Sequence, residues 1–399
     1  MADQTPRTSG APERSRLTFR RIDDLPPYVF ATVDGLKREL RREGRDVIDL
    51  GFGNPDIPSP EIAVTKLQEA AAKTTNHRYS SSRGITQLRA AVAEHYQRSF
   101  GVTLDADTQV ASTIGAKEGL AHLMWVLVGA GDTVVVPTPA YPIHRVAPVL
   151  AGATVISPLA RDGIDGIDAA VRAHAPRVVI VSFPHNPTTA VASTEDMQRL
   201  VDLAREHDFL LVHDFAYADI AFDGHRPPSV LAADGASECA VELYSMTKSF
   251  SMAGWRVGFL VGRPDVVAAL TKLKSYLDYG TFQPIQIAAT VTLREALEYP
   301  STVCDIYRGR RDALIRGLAR AGWEVDPPQG TMFVWAPIPE QFAELGSLEF
   351  ALRLARDASV AVSPGIGFGE GGDGHIRFAL VENEQRIGQA ARAIRKLIA

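Results

Sequence analysis

Residues 244–259 read YSMTKSFSMAGWRVGF. One lysine, Lys248, stands between Thr247 and Ser249 and close to Ser245, with Arg256 eight positions on, ahead of the apolar run VGFLVG. Most lysines lie on solvated faces among other charges. This one follows a run, AVELYS, that reads as a buried strand, and the stretch offers it no acidic partner. A lysine that is partly desolvated and close to a second cation has a depressed pKa, and its neutral amine is a nucleophile toward carbonyl carbon. The stretch therefore reads as strand, reactive turn, strand, and implies a sheet with a ligand-binding edge.

Working outward, DTVVVP, ATVISP, RVVIVSFP, FLLVHDFAY, CAVELYSM and WRVGFLVG are short β-branched runs. Between several of them lie segments with helical spacing of apolar residues, such as TEDMQRLVDLAREHD. That alternation predicts an α/β fold with a mostly parallel sheet covered by helices on both faces. Ligands collect at the carboxyl ends of such strands. Beyond about residue 285 a long charged helix (299–322) precedes short strands in GWEV, TMFVWAP, ASVAVS and HIRFALV and a last helix from about Glu382. This predicts a smaller α+β C-terminal domain. The expected division is a disordered tail over 1–20, an arm over 21–48 packing on the small domain, a large ligand-binding domain over 49–285 and the small domain over 286–399.

The chain has 399 residues, 46% of them hydrophobic, and a net charge of −5. No basic block tracks a phosphate backbone, so nucleic acid is not an expected partner. Cys239 and Cys304 have no paired spacing, which fits a reducing cytosol. MADQTPRTSGAPERSRL lacks the apolar core of a signal peptide, and the most apolar helix, in LAHLMWVLVGAG, is too short to span a bilayer. The expectation is a cytoplasmic protein with no membrane partner.

Other strand ends carry candidate site residues. Asp214 ends an apolar run in HDFAY, where a carboxylate is costly to bury alone, and Tyr217 follows three residues on. Asn186 in SFPHNPTT is a possible amide ligand, although Asn-Pro also fits an ordinary turn. In STIGAKEGL, Gly115 allows close backbone approach, and the amides of Ala116 and Lys117 open a helix, the usual setting for a phosphate. A glycine at a helix start is common, so this stretch gains meaning from Ser245 and Arg256, which would complete an anion cup. Tyr141 in PTPAYPIH is either a core tyrosine or an aromatic plate. Arg377 lies inside the apolar strand HIRFALV and needs an acceptor, for which a substrate carboxylate is a candidate. SPGIGFGEGG fails as a dinucleotide fingerprint, because Glu370 takes the place of the third glycine. It reads as a flexible loop. His207 and His213 lack companions at metal spacing, so no metal is expected.

A nucleophilic lysine, an anion cup, a carboxylate for a ring nitrogen and an aromatic plate together fit pyridoxal 5'-phosphate. DLGFGNPD, YSSSRGITQLR, STIGAKEGL, PAYPIH, FPHNPT, HDFAYAD, SMTKSFSMAGWRVGF and HIRFALVEN occur in an order that resembles the fold-type I, class I/II aminotransferases from about Leu25 to the C-terminus. LPPYVF, GAKEGLAHLM, HDFAYADI, KSYLDYGTF and VSPGIGFG look most like the bacterial alanine (glutamate–pyruvate) aminotransferases and their neighbours, the LL-diaminopimelate aminotransferases.

The resemblance implies that Lys248 attaches the cofactor and moves the substrate proton. It pairs Asp214 with the pyridinium nitrogen, brings Asn186 and Tyr217 to the phenolate oxygen and stacks Tyr141 on the ring. It surrounds the phosphate with Gly115, Ala116, Lys117, Ser245 and Arg256. It also implies that Tyr79 reaches the cofactor of a second subunit in a homodimer with shared sites. Arg377, helped by backbone near Gly53, would take the substrate α-carboxylate, and Tyr28 and Tyr279 are candidates for a distal carboxylate. Two departures stand out: Ala116 replaces a frequent hydroxyl residue, and YGTF (279–282) lacks the arginine expected of dicarboxylate-specific relatives. The implied reaction is transamination between L-alanine and 2-oxoglutarate. LL-diaminopimelate, methionine or aromatic substrates, C–S lysis, and a cofactor-binding regulator remain alternatives.

Overall fold

The computed structural model describes residues 19–23, 25 and 28–398, so the expected tail lies almost wholly outside the described residues. In chain order the strands are β1 (Ile48–Asp49), β2 (Val110–Thr113), β3 (Thr133–Val135), β4 (Thr154–Ile156), β5 (Val178–Val181) and β6 (Leu210–Phe215). They continue with β7 (Ala240–Ser245), β8 (Gly258–Gly262), β9 (Phe333–Pro337), β10 (Val360–Ala361), β11 (Ser363–Pro364) and β12 (His375–Ala379).

Among the described residues seven strands form one sheet in the order β2-β8-β7-β6-β5-β3-β4. The pairs from β4 to β7 are parallel, whereas β8 runs antiparallel to both β7 and β2. This α/β sheet is the expected one, with an antiparallel excursion at one side. The excursion has a consequence for the site. Register aligns Thr113 and Ser245 with Gly258, so the end of β2, the end of β7 and the start of β8 share one edge. Gly115, Lys248 and Arg256 leave the sheet from that edge. The ends of β5 and β6 bring Asn186 and Asp214 to it.

Strand alternation fixes which side chains face which helices. Ile180, Leu210 and Val212 pack with Leu120, Leu123 and Met124 of the helix Gly115–Leu127. Val179, Val181 and Leu211 pack with Met197, Leu200 and Val201 of the helix Thr194–His207. That helix opens with a capping box between Ser193 and Asp196, which satisfies two otherwise free amides. By the same alternation Asp214 points to the face of Leu210 and Val212, and His213 to the other.

The smaller sheet is antiparallel, β11-β12-β9, and a helix, Tyr299–Ala319, leads to it as expected. The strand expected in GWEV does not form: residues 323–328 are irregular and lead into Pro327–Pro328, which lack amide donors for a ladder. Trp323 instead buries its ring and donates Nε1 to the Pro337 carbonyl (2.8 Å). β1 pairs with β10, and the helix Phe30–Arg42 packs on the helix Gly346–Ala358. The SPGIGFGEGG loop is a tightly packed turn, because a side chain at Gly365 or Gly372 would strike the backbone of the other. No helix among the described residues is long and apolar enough to cross a membrane.

Candidate active site

A cavity of about 530 Å³ opens where the strand ends of the large sheet meet the small sheet. Lys248 lines it from the short helix Met246–Ser249 that follows β7. Its Nζ donates to the Gly53 carbonyl (2.7 Å) and lies 6.0 Å from the Tyr217 ring centroid. No ion pair holds it among the described residues. Burial, reinforced by the charges of Arg377 and Arg256, brings its pKa down to about 7. A neutral amine is thus available near neutral pH.

Asp214 is buried beneath the same cavity. His144 Nε2 donates to its Oδ2 (2.7 Å), while Oδ1 is buried without a hydrogen-bond partner among the described residues. An unmet buried carboxylate oxygen costs about 1–3 kcal/mol, so Oδ1 suits a ligand that brings a hydrogen-bond donor. Tyr217 is buried nearby, and burial raises its phenol well above the usual value.

At the turn after β2, Gly115 takes φ +75° and packs so closely on the Arg256 guanidinium that a Cβ would overlap it. Arg256 Nη1 donates to Ala253 O (3.1 Å) and Nη2 to Ile114 O (3.3 Å). Gly258 lies against the Ala116 amide, again with no room for a side chain. Ser245 Oγ accepts from the Thr247 amide (3.2 Å) and lines the cavity with Ala116, Lys117 and Tyr141. The exposed Lys117 ammonium lies over the Tyr141 ring (5.0 Å).

Arg377 occupies the centre of the small sheet and is 6% exposed. Nη1 donates to Asn186 Oδ1 (2.7 Å), and Nη2 to Gly51 O (3.1 Å) and Ser363 Oγ (3.3 Å). Phe333 and Phe368 lie at 3.9 and 4.6 Å from the guanidinium carbon. Nε has no partner, and no carboxylate pairs with the group among the described residues. Burial lowers its pKa to about 10, which leaves it cationic at neutral pH.

Thus Gly53, Ala116, Lys117, Tyr141, Asn186, Asp214, Tyr217, Ser245, Lys248, Arg256, Arg377 and the exposed Tyr28 line one cavity, with Gly115 just behind the wall. Tyr79 does not reach it. It is 88% exposed and rests against Tyr279, ring centroids 5.2 Å apart. The sequence reading missed His144, the partner of Asp214. The signal was present in PAYPIH: one turn after Tyr141, at the head of the helix Pro142–Ala151, a histidine falls beneath that ring (5.9 Å). It missed the Phe333–Phe368 clamp as well, since those residues come from separate elements.

The profile of the family described as aminotransferase class I and II matches residues 45–394. The chain belongs to this family. Such an aminotransferase, the glutamate–pyruvate aminotransferase AlaC of Escherichia coli (strain K12), is 47% identical over 97% of this chain and 95% of its own length. An LL-diaminopimelate aminotransferase of Desulforudis audaxviator (strain MP104C) is 41% identical over 94% of this chain and 96% of its own. Among solved structures, substrate-bound BacF from Bacillus subtilis superposes with a TM-score of 0.90 at 34% identity, covering 96% of this chain and 98% of the other. The chain is accordingly a pyridoxal phosphate-dependent transaminase. The residues present fit that cofactor: an unpartnered buried carboxylate oxygen suits a protonated ring nitrogen, and the glycine-lined helix start suits a phosphate.

Proposed function

We propose that this aminotransferase moves the amino group between L-alanine and 2-oxoglutarate, giving pyruvate and L-glutamate, as a homodimer with shared sites. The carrying observation is the 47% identity, nearly end to end, with a glutamate–pyruvate aminotransferase. Lys117 adds support. A second cation besides Arg377 would favour a dicarboxylate substrate, and the Lys117 ammonium stands in the cavity with no acidic partner among the described residues.

Pyridoxal phosphate, when bound, supplies an electron sink for negative charge at the substrate Cα. Asp214 Oδ1 would accept from the ring nitrogen and keep it protonated, with His144 fixing the other carboxylate oxygen. Gly115, the Ala116 and Lys117 amides, Ser245 and Arg256 would hold the phosphate. Tyr141 would cover the ring, and Asn186 and Tyr217 would flank its oxygen. Arg377 and the Gly51–Gly53 backbone would orient the α-carboxylate, with Tyr28 at the mouth. Lys248 Nζ would take the Cα proton and return it on the cofactor side, as general base and then acid. We also propose the division into a cofactor-holding domain over 49–285 and a small domain over 286–399, with 21–48 packed on the latter. Separate apolar clusters under the two sheets support two units, with Leu50, Tyr217, Ile220 and Phe222 joining the small-sheet cluster and Ala289 and Leu293 packing with the large unit.

The test follows the visible absorbance of the loaded protein on single additions of L-alanine, L-glutamate, L-methionine, L-phenylalanine and LL-diaminopimelate. Fast conversion with alanine and glutamate alone supports the assignment. Conversion by diaminopimelate instead keeps the chemistry and discards the substrate pair.

A further inference from the structure

One buried charge chain lies outside the cavity. Lys274, on the helix Pro264–Leu277, has a side chain with no exposed surface. Its Nζ bonds Glu118 Oε1 (3.0 Å) and Asp278 Oδ2 (3.0 Å). Each carboxylate spends its second oxygen on backbone. Glu118 Oε2 accepts from the Ile114 amide (2.6 Å), one residue before Gly115, and Asp278 Oδ1 accepts from the Gly280 amide (2.6 Å). His122 rests against the same Glu118 oxygen as Lys274. Burial would raise the Glu118 carboxyl, but His122, Lys274 and the Ile114 amide outweigh it and hold the group below its ordinary value. Glu118, His122 and Asp278 stand close enough together to suggest metal ligands, but the ammonium bridges the two carboxylates.

The two ends of this chain serve different places. One end is the phosphate turn of the protein's own cavity. The other is the loop after Asp278, where Tyr279 takes φ +53° and meets Tyr79, and where Gly280 passes too close to the Ser81 carbonyl for any side chain. Tyr79 and Tyr279 are exposed and do not line the cavity that the chain itself forms.

We infer that Lys274 is a positioning residue that ties the phosphate turn of one subunit to the Tyr79–Tyr279 pair offered to the other, so that one ammonium supports cofactor retention at both sites. This rests on the shared-site reading above. Breaking a buried ion pair strands charge, so a variant lacking the ammonium would release both backbone ends together.

The experiment uses heterodimers in which one subunit carries Lys248→Ala, leaving a single site able to attach pyridoxal phosphate covalently. Lys274→Met is introduced either in the subunit that owns that site or in its neighbour, and affinity is read from the absorbance of lysine-attached cofactor. If Lys274→Met folds poorly, the neutral set Glu118→Gln, Lys274→Met, Asp278→Asn replaces it. The expected result is about a tenfold weaker affinity in both arrangements, larger than any loss of kcat at saturating cofactor. Weakening in the site-owning subunit alone overturns the inference, as does no weakening in either. Tyr79→Ala in the neighbour separates the causes. If it weakens retention, the shared site stands and only the role of Lys274 fails. If it does nothing, or if light scattering gives a monomer, the shared-site reading fails as well.

Discussion

Strand β6 contributes one member to each of two carboxylate–histidine pairs, Asp214–His144 and His213–Glu242, on opposite faces of the sheet, and they have been finished differently. On the far face Glu242 is wholly buried. It accepts from Tyr96 Oη (2.9 Å), Ser229 Oγ (2.9 Å), the Val230 amide (3.0 Å) and His213 Nδ1 (2.8 Å). His213 Nε2 in turn accepts from the Phe183 amide (3.2 Å). On the cavity face Asp214 has His144 as its one hydrogen-bond partner among the described residues, with one oxygen unmet. The chemistry of the two pairs is the same. A completed network rigidifies the fold, whereas an incomplete one at a cavity marks where a ligand supplies the missing donor.

The same contrast separates two buried lysines. Lys274 is bridged by two carboxylates, whereas Lys248 has a single carbonyl and two arginines in its surroundings. The largest expected effect follows from this. Lys248→Ala removes the buried amine with the lowered pKa and should lower kcat roughly 10⁴-fold, the upper range for a general base; turnover near the parent level would discard the assignment. A pH signature accompanies it in the cofactor-free protein. The folded lysine loses its proton near pH 7, against 10.5 ordinarily, so between those values the unfolded chain binds the extra proton. Stability from this group therefore rises with pH from about 7 upward. The Tm of the cofactor-free parent should gain more between pH 7 and 9 than that of Lys248→Ala.

Next in size is a direct break of the comparison on β6. Asp214→Asn keeps the shape but removes the charge facing the cavity, and should cost roughly 10³-fold in kcat, on the scale of a lost electrostatic stabiliser. Its Tm should change little. Glu242→Gln should do the reverse: it disturbs four satisfied bonds and costs about 2–3 kcal/mol, measured by denaturant unfolding, with kcat per folded molecule within about twofold. Equal effects of the two substitutions on stability and on rate would erase the distinction between finished and unfinished networks.

What the sequence made legible follows the same line. Lys248, Asp214, Asn186 and Gly115 sit at strand ends, where local pattern alone brings chain to the ligand edge. Arg377 was legible as a cation in an apolar strand without a predictable acidic partner. The Phe333–Phe368 clamp and the Glu118–Lys274–Asp278 chain were not, because their members are contributed by segments far apart in sequence and meet only through packing. The antiparallel turn of β8 was also hidden: VGFLVG reads as a buried strand in either direction, and the twelve residues between β7 and β8 are compatible with either a hairpin or a crossover. GWEV failed for the opposite reason, since local strand propensity was overridden by the following prolines and by the burial of Trp323.

The smallest effect sharpens the substrate side of the contrast. Arg377 is fixed by Asn186, Gly51 and Ser363 and gripped by two rings, so in its proposed role it would be pre-organised for one carboxylate whatever the substrate. Lys117 is the opposite kind of cation: exposed, on a flexible stem, and held among the described residues only over the Tyr141 ring. An exposed ammonium is solvated, so its gain from meeting a carboxylate is modest, about 1 kcal/mol or somewhat more. Lys117→Met should accordingly raise KM for L-glutamate and 2-oxoglutarate roughly five- to tenfold. KM for L-alanine, which has no distal carboxylate, should move by less than about twofold. Steady-state kinetics with each substrate varied in turn reads the split. A uniform rise for all three substrates would assign Lys117 to cofactor retention instead, because a loss at the phosphate turn cannot distinguish an amino acid with a second carboxylate from one without.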